Sequence, residues 1–227
     1  YGSAFCKPIN DFDENEKVDV IAMNPPYGGV TTAAELTNFP TQYKTSETAV
    51  LFIAYIAKRL KQNGRAGVII PDGFLFGNDN ASVEVKKLLI EQMNLHTIIR
   101  LPSSVFAPYT SITTNILFFD NKKPTEDLWI YRMDMPEDLK HFSKTKPITD
   151  EHMEIVKLWW DNRVEIFEEG NEKSRCFKKL EIAANGYNLD LCKYPKEEEE
   201  ILSIKDTILN YKKHSEAADE NINSTLT

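Results

Sequence analysis

Apolar and polar positions alternate along this chain in blocks that differ in period. Val18–Met23 (VDVIAM) is a short apolar run of strand length, and Asn24-Pro25-Pro26-Tyr27 stops it at once. Residues 28–46 hold no clear period and are rich in Thr and Gly, which predicts a loop. Over Glu47–Gln62, Val50, Ile53, Ala57 and Leu60 share one helical face, with Ser46 as N-cap, Glu47 complementing the helix dipole and Gly64 as the stop. Ala66–Ile70 is the next strand, closed by Pro71-Asp72-Gly73. Val83–Met93 predicts a second helix with Val85, Leu88, Leu89 and Met93 inward. His96–Leu101 and Thr113–Phe119 follow as strands, and Leu128–Tyr131 as a short edge strand.

Strands alternating with helices indicate an α/β sheet with crossover connections. The third and fourth strands lack a helix-length spacer, so that pair is expected to be antiparallel. After about residue 147 a helix over Asp150–Trp160 leads into a charged, hairpin-like stretch, with Trp159-Trp160 as a core pair. A final amphipathic helix is expected over Pro195–Lys213, carrying Ile201, Ile204, Ile208 and Tyr211 on one face, before a disordered tail from His214. The implied organisation is a domain over 1–147, an extension over 148–213 and a tail over 214–227.

Composition narrows the function classes. The 227 residues are 41% hydrophobic and 27% charged, ordinary for a globular chain. No apolar stretch approaches the ~20 residues of a membrane span, so no membrane partner is expected. Cys6, Cys176 and Cys192 are odd in number and scattered, and His96, His141, His152 and His214 lack ligand spacing. They read as reduced thiols and ordinary histidines of a cytoplasmic protein, with no metal site. The net charge of −8 argues against non-specific coating of nucleic acid, but it is uneven. Residues 151–227 hold 17 acidic and 11 basic side chains, leaving the front of the chain nearly neutral.

The chemistry concentrates at Asn24-Pro25-Pro26-Tyr27. In an α/β sheet, ligands sit beyond the carboxyl ends of the strands. A residue before proline is held extended, and two prolines fix the backbone while removing two N–H donors. What remains is the Asn24 amide and a rigid carbonyl, both acceptors, beside an aromatic ring. That set suits an exocyclic amine such as adenine N6, a poor nucleophile whose lone pair is delocalised into the ring. Two acceptors on its N–H groups favour pyramidalisation and attack on an electrophilic methyl, while Tyr27 stacks on a base extruded from a duplex. Extrusion costs a few kcal/mol and stacking returns roughly 1–3 kcal/mol, so the two nearly balance.

VDVIAMNPPYGG resembles motif IV of the amino-methyltransferases that modify adenine in DNA. TSETAVLFIAYIAKRLKQNGRAGVIIPDGFLFG, LHTIIRLPSSVFAPYTSITTNILFF and NGYNLDLCKYP resemble, in order, segments of the modification (M) subunit of type I restriction–modification systems. The similarity runs through about residues 18–194. It implies the C-terminal half of a Rossmann-like methyltransferase sheet that uses S-adenosylmethionine to methylate adenine N6. By resemblance Asn24, Pro25, Pro26 and Tyr27 form the catalytic and target-base site. Phe106 is the aromatic flanking the base, with core packing as its alternative and Tyr109 as a rival. Glu47 falls in a segment that approaches the cofactor, although helix capping accounts for Ser46 and Glu47 equally well. Implied partners are DNA, a specificity subunit, a second M subunit and a restriction subunit; the 195–213 helix is a candidate docking element for the specificity subunit, with packing on its own domain as the alternative.

The family pattern also has a Gly-rich loop resembling DPACGSGGF for S-adenosylmethionine and an acidic residue for its ribose. Neither occurs here. The chain is therefore expected to be the C-terminal portion of a longer subunit, without the main cofactor loop and inactive alone, with Val18–Met23 left as a sheet edge. Two other readings stay open: a non-catalytic assembly or DNA-binding piece, and a methyltransferase acting on RNA or on a protein amide nitrogen.

Overall fold

The computed structural model describes residues 3–168 and 170–195. The helix expected over 195–213 and the tail from residue 214 fall outside the described residues, apart from Pro195. Seven strands are formed: β1 (Val18–Met23), β2 (Leu60–Pro71), β3 (Asn94–Arg100), β4 (Thr114–Asp120), β5 (Asp127–Arg132), β6 (Ile166–Glu168) and β7 (Asn171–Lys178). The helices are α1 (Ala33–Leu36), α2 (Thr48–Arg59), α3 (Gly73–Phe76), α4 (Asn80–Lys87), α5 (Glu154–Asp161) and α6 (Lys179–Ala184). One turn of π-helix, Leu88–Gln92, continues α4. No helix among the described residues is long and apolar enough to cross a membrane.

All seven strands join one mixed sheet in the order β1-β2-β4-β3-β5-β7-β6. β1 and β2 are parallel, joined through α2, and β4 is antiparallel to β2 on one side and β3 on the other. The third and fourth strands therefore pair antiparallel as expected, and β1 lies at the edge with Val20 57% exposed. Leu128–Tyr131 is not an edge. β5 pairs parallel with β3 and antiparallel with β7, because residues beyond 147 return as the β6–β7 hairpin and extend the same sheet. Residues 1–194 make one compact unit.

Alternation along the strands splits the core into two layers. Val68, Ile70, Leu95, Ile98, Leu117 and Phe119 meet the buried faces of α2 and α4. Ile99, Leu101, Tyr131 and Met133 face the other way onto Val156 and Trp159 of α5. Ile98 and Ile99, adjacent in β3, thus serve opposite layers, as the two-residue strand period requires. Trp159 belongs to the core, while its neighbour Trp160 packs edge-on against Phe118 at 4.8 Å.

Several boundaries move for local reasons. α2 ends at Arg59, and Leu60 already starts β2, so Gly64 does not stop the helix. A Cβ on Gly64 would lie 3.1 Å from the Val18 carbonyl oxygen and 3.2 Å from that of Asp19, so glycine is needed where β2 approaches β1. α4 starts at Asn80 rather than Val83 because the Asp79 side chain accepts the Ser82 amide at 3.1 Å. The expected loop over 28–46 carries α1, capped by Thr32 and Glu35 in a reciprocal box.

At the carboxyl end of the sheet one buried cation joins three segments. Arg100, the last residue of β3, is 3% exposed. Its Nη2 donates to Asp72 Oδ1 at 2.9 Å, and its Nη1 donates to Asp190 Oδ1 at 2.9 Å and to the Leu191 carbonyl at 2.7 Å. Asn115 Nδ2 reaches the same Asp72 oxygen at 3.0 Å. Replacing a buried cation while leaving its carboxylates costs ~3–5 kcal/mol. Asp72 and Asp190 keep some water, which places Arg100→Met near the lower end, at about 3 kcal/mol. Urea denaturation at constant slope checks this; a loss under about 1 kcal/mol would show that the clamp does not hold the fold together.

Candidate active site

The carboxyl end of β1 opens directly into Asn24-Pro25-Pro26-Tyr27. Pro25 is buried and seats the turn, whereas Asn24 and Pro26 are exposed and Tyr27 is half-buried. The Tyr27 hydroxyl donates to Asn24 Oδ1 at 2.5 Å. That contact holds the amide in place, and the second lone pair of Oδ1 stays open. Burial pushes the Tyr27 phenol above its ordinary value, against the opposing effect of the Asn24 hydrogen bond. Tyr27 is therefore a protonated donor at neutral pH, not a base.

Phe106 sits in the loop between β3 and β4. Its ring centroid lies 6.3 Å from that of Tyr27 at an interplanar angle of 68°. Tyr109, its rival in the sequence, is 90% exposed. The loop is closed at its root by the Leu101 amide donating to the Thr114 carbonyl at 3.1 Å, and by the Asp72 amide donating to the Thr113 carbonyl at 2.9 Å. The arginine clamp on Asp72 thus also fixes the base of the loop that carries Phe106.

Tyr27 and Glu47 line one cavity of about 320 Å³, together with Pro71, Gly73, Phe74, Gly77, Asp79, Ser82 and Ile112. This volume is at the small end of the range for small-molecule sites, ~300–1,000 Å³. Ser46 is not the cap of α2. Glu47 occupies the cap position but makes no side-chain capping bond, which leaves its side chain at the cavity. Burial acts to raise the Asp79 carboxyl, but hydrogen bonds from the Ser82 hydroxyl and from nearby amides outweigh it and hold the pKa below the ordinary value. With Glu47 and Asp79 in the lining and no lysine or arginine among its described lining residues, the cavity favours a neutral or cationic group with N–H donors over a phosphate.

Sequence reasoning missed Phe74, Asp79, Ser82 and Ile112. The available signal was Asp79-x-x-Ser82, a helix start whose capping carboxylate stands at the opening of a helix near the strand ends. His96 is set by packing: burial lowers its pKa and its ring meets Trp160 at 6.0 Å.

A family model for N-6 DNA methylases matches residues 2–201. The chain belongs to the N-6 DNA methylase family. Among curated members, the type I restriction enzyme EcoEI methylase subunit of Escherichia coli is 43% identical over 205 residues, 89% of this chain and 41% of that subunit. The EcoKI methylase subunit of Escherichia coli K12 is 32% identical over 156 residues, 64% of this chain and 28% of that subunit. A solved modification subunit assigned to a type I restriction enzyme from Vibrio vulnificus superposes with a TM-score of 0.75 at 37% identity. It covers 89% of this chain and 43% of that one. The chain therefore spans less than half the length of these relatives. The methyltransferase sheet expected from the sequence is the fold observed.

Behind the cavity wall, Lys86 is buried and donates to the Leu75 carbonyl at 3.0 Å and the Gly77 carbonyl at 2.6 Å, closing the end of α3. Burial lowers its pKa from 10.5 to about 8, with Asp79 opposing the change. Because the unfolded chain keeps its proton to higher pH, stability contributed by Lys86 is complete above 10.5 and lost as pH falls through about 8. Unfolding free energy is expected to rise with pH across that window, by at most ~1.4 kcal/mol per unit, and Lys86→Met removes this component. Identical pH profiles for the two proteins would contradict the assignment.

Proposed function

We propose that this chain forms the target-base side of an S-adenosylmethionine-dependent methyltransferase that modifies adenine N6 in DNA, as part of the M subunit of a type I restriction–modification complex. The observation that carries the reading is the joining of Asn24, Tyr27 and Phe106 at the carboxyl end of β1 beside an acidic, base-sized cavity. Tyr27 stacks on the extruded adenine, and Phe106, edge-on to the Tyr27 ring, flanks the base. Asn24 Oδ1 and the Pro25 carbonyl accept its two N6 hydrogens, which frees the nitrogen lone pair for attack. The Tyr27 hydroxyl adds orientation, since it keeps Asn24 Oδ1 aimed while the ring stacks. Two prolines deprive this turn of competing N–H donors.

S-adenosylmethionine supplies the electrophilic methyl when bound. The donor set here fits only part of it. Glu47 can take its hydroxyl or ammonium groups and Asn24-Pro25 can face its methyl, but no glycine-rich binding loop occurs in the sequence. The main cofactor loop is therefore assigned to sequence outside these 227 residues, and the chain by itself to an inactive state. The 195–213 segment is assigned to docking of the specificity subunit, which reads the DNA sequence. A second M subunit and a restriction subunit complete a cytoplasmic assembly. Partner contacts with the phosphate backbone are then compatible with an acidic M chain.

In the intact subunit with its partners, Asn24→Ala is expected to lower methylation at least about 100-fold, the scale of losing one aimed hydrogen-bonding group, while cofactor binding persists. Tyr27→Ala is expected to cost more than Tyr27→Phe, which keeps the ring but releases the Asn24 amide. Methyl transfer from labelled cofactor to DNA, RNA and protein substrates measures both effects and identifies the substrate. Full turnover by Asn24→Ala, or methylation of protein in place of DNA, would defeat the reading.

A further inference from the structure

Tyr109 is a large aromatic side chain with no packing role. It is 90% exposed, yet its backbone is held firmly. The Tyr109 amide donates to the Phe106 carbonyl at 2.9 Å and the Thr110 amide to the same oxygen at 3.3 Å, while the Ala107 amide donates to the Ser104 carbonyl at 2.9 Å. This turn places Tyr109 three residues from the ring that faces Tyr27. Ile112, 47% exposed, continues the rim and lines the cavity. A rigid loop that presents an unpacked ring beside a base-sized cavity bears the cost of exposure in the free state, and only a partner surface recovers it.

A second feature adjoins this loop. The buried Phe142 donates its amide to Ser104 Oγ at 2.9 Å, tying residues 140–146 to the Tyr109 loop. That segment reads Lys-His-Phe-Ser-Lys-Thr-Lys, and the Ser143 and Lys146 backbones exchange two hydrogen bonds, of 3.0 and 3.2 Å, across a tight turn. Lys140, Lys144 and Lys146 are exposed and form no ion pair among the described residues. The acidic residues nearest in sequence are Glu137 and Asp138, exposed and in no ion pair with these lysines, and Asp150, which is paired with Lys157 at 2.6 Å. In a chain of net charge −8, three exposed lysines outside any ion pair among the described residues, on a loop fastened to the one bearing Phe106, offer a place where phosphates are met.

We propose that Tyr109 is a wedge that enters the DNA stack in the space vacated by the extruded base, and that Lys140, Lys144 and Lys146 hold the adjoining phosphates. This deepens the function proposed above and rests on it. Proteins that kink or open a duplex commonly insert such a side chain between base steps. A phenol ring is suited to the task because every base offers it a stacking face.

The test uses the intact protein with its partner subunits and two labelled duplexes of one sequence, one fully paired and one with an abasic position. The wild-type assembly is expected to bind the abasic duplex about 5-fold or more tightly, because the ring fills the hole without an unstacking cost. Tyr109→Ala is expected to abolish this preference with an unchanged melting temperature, and Tyr109→Trp to retain it. A preference that survives in Tyr109→Ala, or is absent from the wild type, overturns the wedge. Joint replacement of Lys140, Lys144 and Lys146 by Gln is expected to reduce the slope of log affinity against log salt by about 2–3. An unchanged slope overturns the phosphate contacts. These binding results stand apart from turnover: a wild-type assembly that shows the abasic preference but methylates nothing refutes the proposed reaction and leaves the wedge intact.

Discussion

The guanidinium of Arg100 is the constraint on which the working end of this molecule depends. It lies at the end of a central strand and has no water to turn to, so its hydrogen bonds must come from protein. Two of them come from Asp72 and Asp190, which are 28 positions before it and 90 after it in sequence. Asp72 stands between Pro71 and Gly73, which line the cavity, and Arg100 itself precedes the loop that carries Phe106. Leu191, bonded through its carbonyl, belongs to the segment leading to the end of the compact unit. A lysine could not serve all three, because only the planar fork of arginine offers fixed donors in several directions. Lys193 pairs with the far oxygen of Asp190 and balances the cluster, giving two cations to two carboxylates. Such a cluster contributes less to net stability than to a single defined arrangement of the segments it joins.

Local chemistry was legible in the sequence and distant pairing was not. Asn24-Pro25-Pro26-Tyr27 could be read because everything that shapes it lies within four residues and a preceding strand. The inward faces of α2 and α4 were visible for a similar reason, since a helical period shows itself over a dozen positions. The placing of β5 could not be read from its own run. Its neighbour β7 is spelled Asn-Glu-Lys-Ser-Arg-Cys-Phe-Lys, where only Ser174 and Phe177 are buried and charged letters hide the strand. Capping was misread at Ser46 because Ser is a preferred N-cap residue, whereas the helix begins one place later behind Glu47, whose side chain makes no capping bond. The Arg100 cluster left no trace in the sequence, its members being ordinary charged residues until the sheet brings them together.

Charge is divided across a short distance in this protein. The cavity beside Tyr27 is lined by Glu47 and Asp79, whereas the 140–146 loop carries only positive groups and lies next to the turn bearing Phe106 and Tyr109. Net charge conceals this division, and an acidic chain can still present a local face to an anionic polymer. Asp79 has a double use in the arrangement, since its carboxylate caps α4 and colours the cavity at once.

The bare side of β1 has a colloidal consequence. An edge strand, paired on one side only, with a half-open row of amides and carbonyls, is a template for any other extended segment, including another copy of itself. Here Lys17 precedes the strand and Asp19 is its second residue, and Lys61 Nζ reaches Asp19 Oδ2 at 3.0 Å beside the edge. Charges of both signs at the start of an exposed strand act as gatekeepers, since a second strand laid alongside would have to strip their water before gaining its first ladder bond.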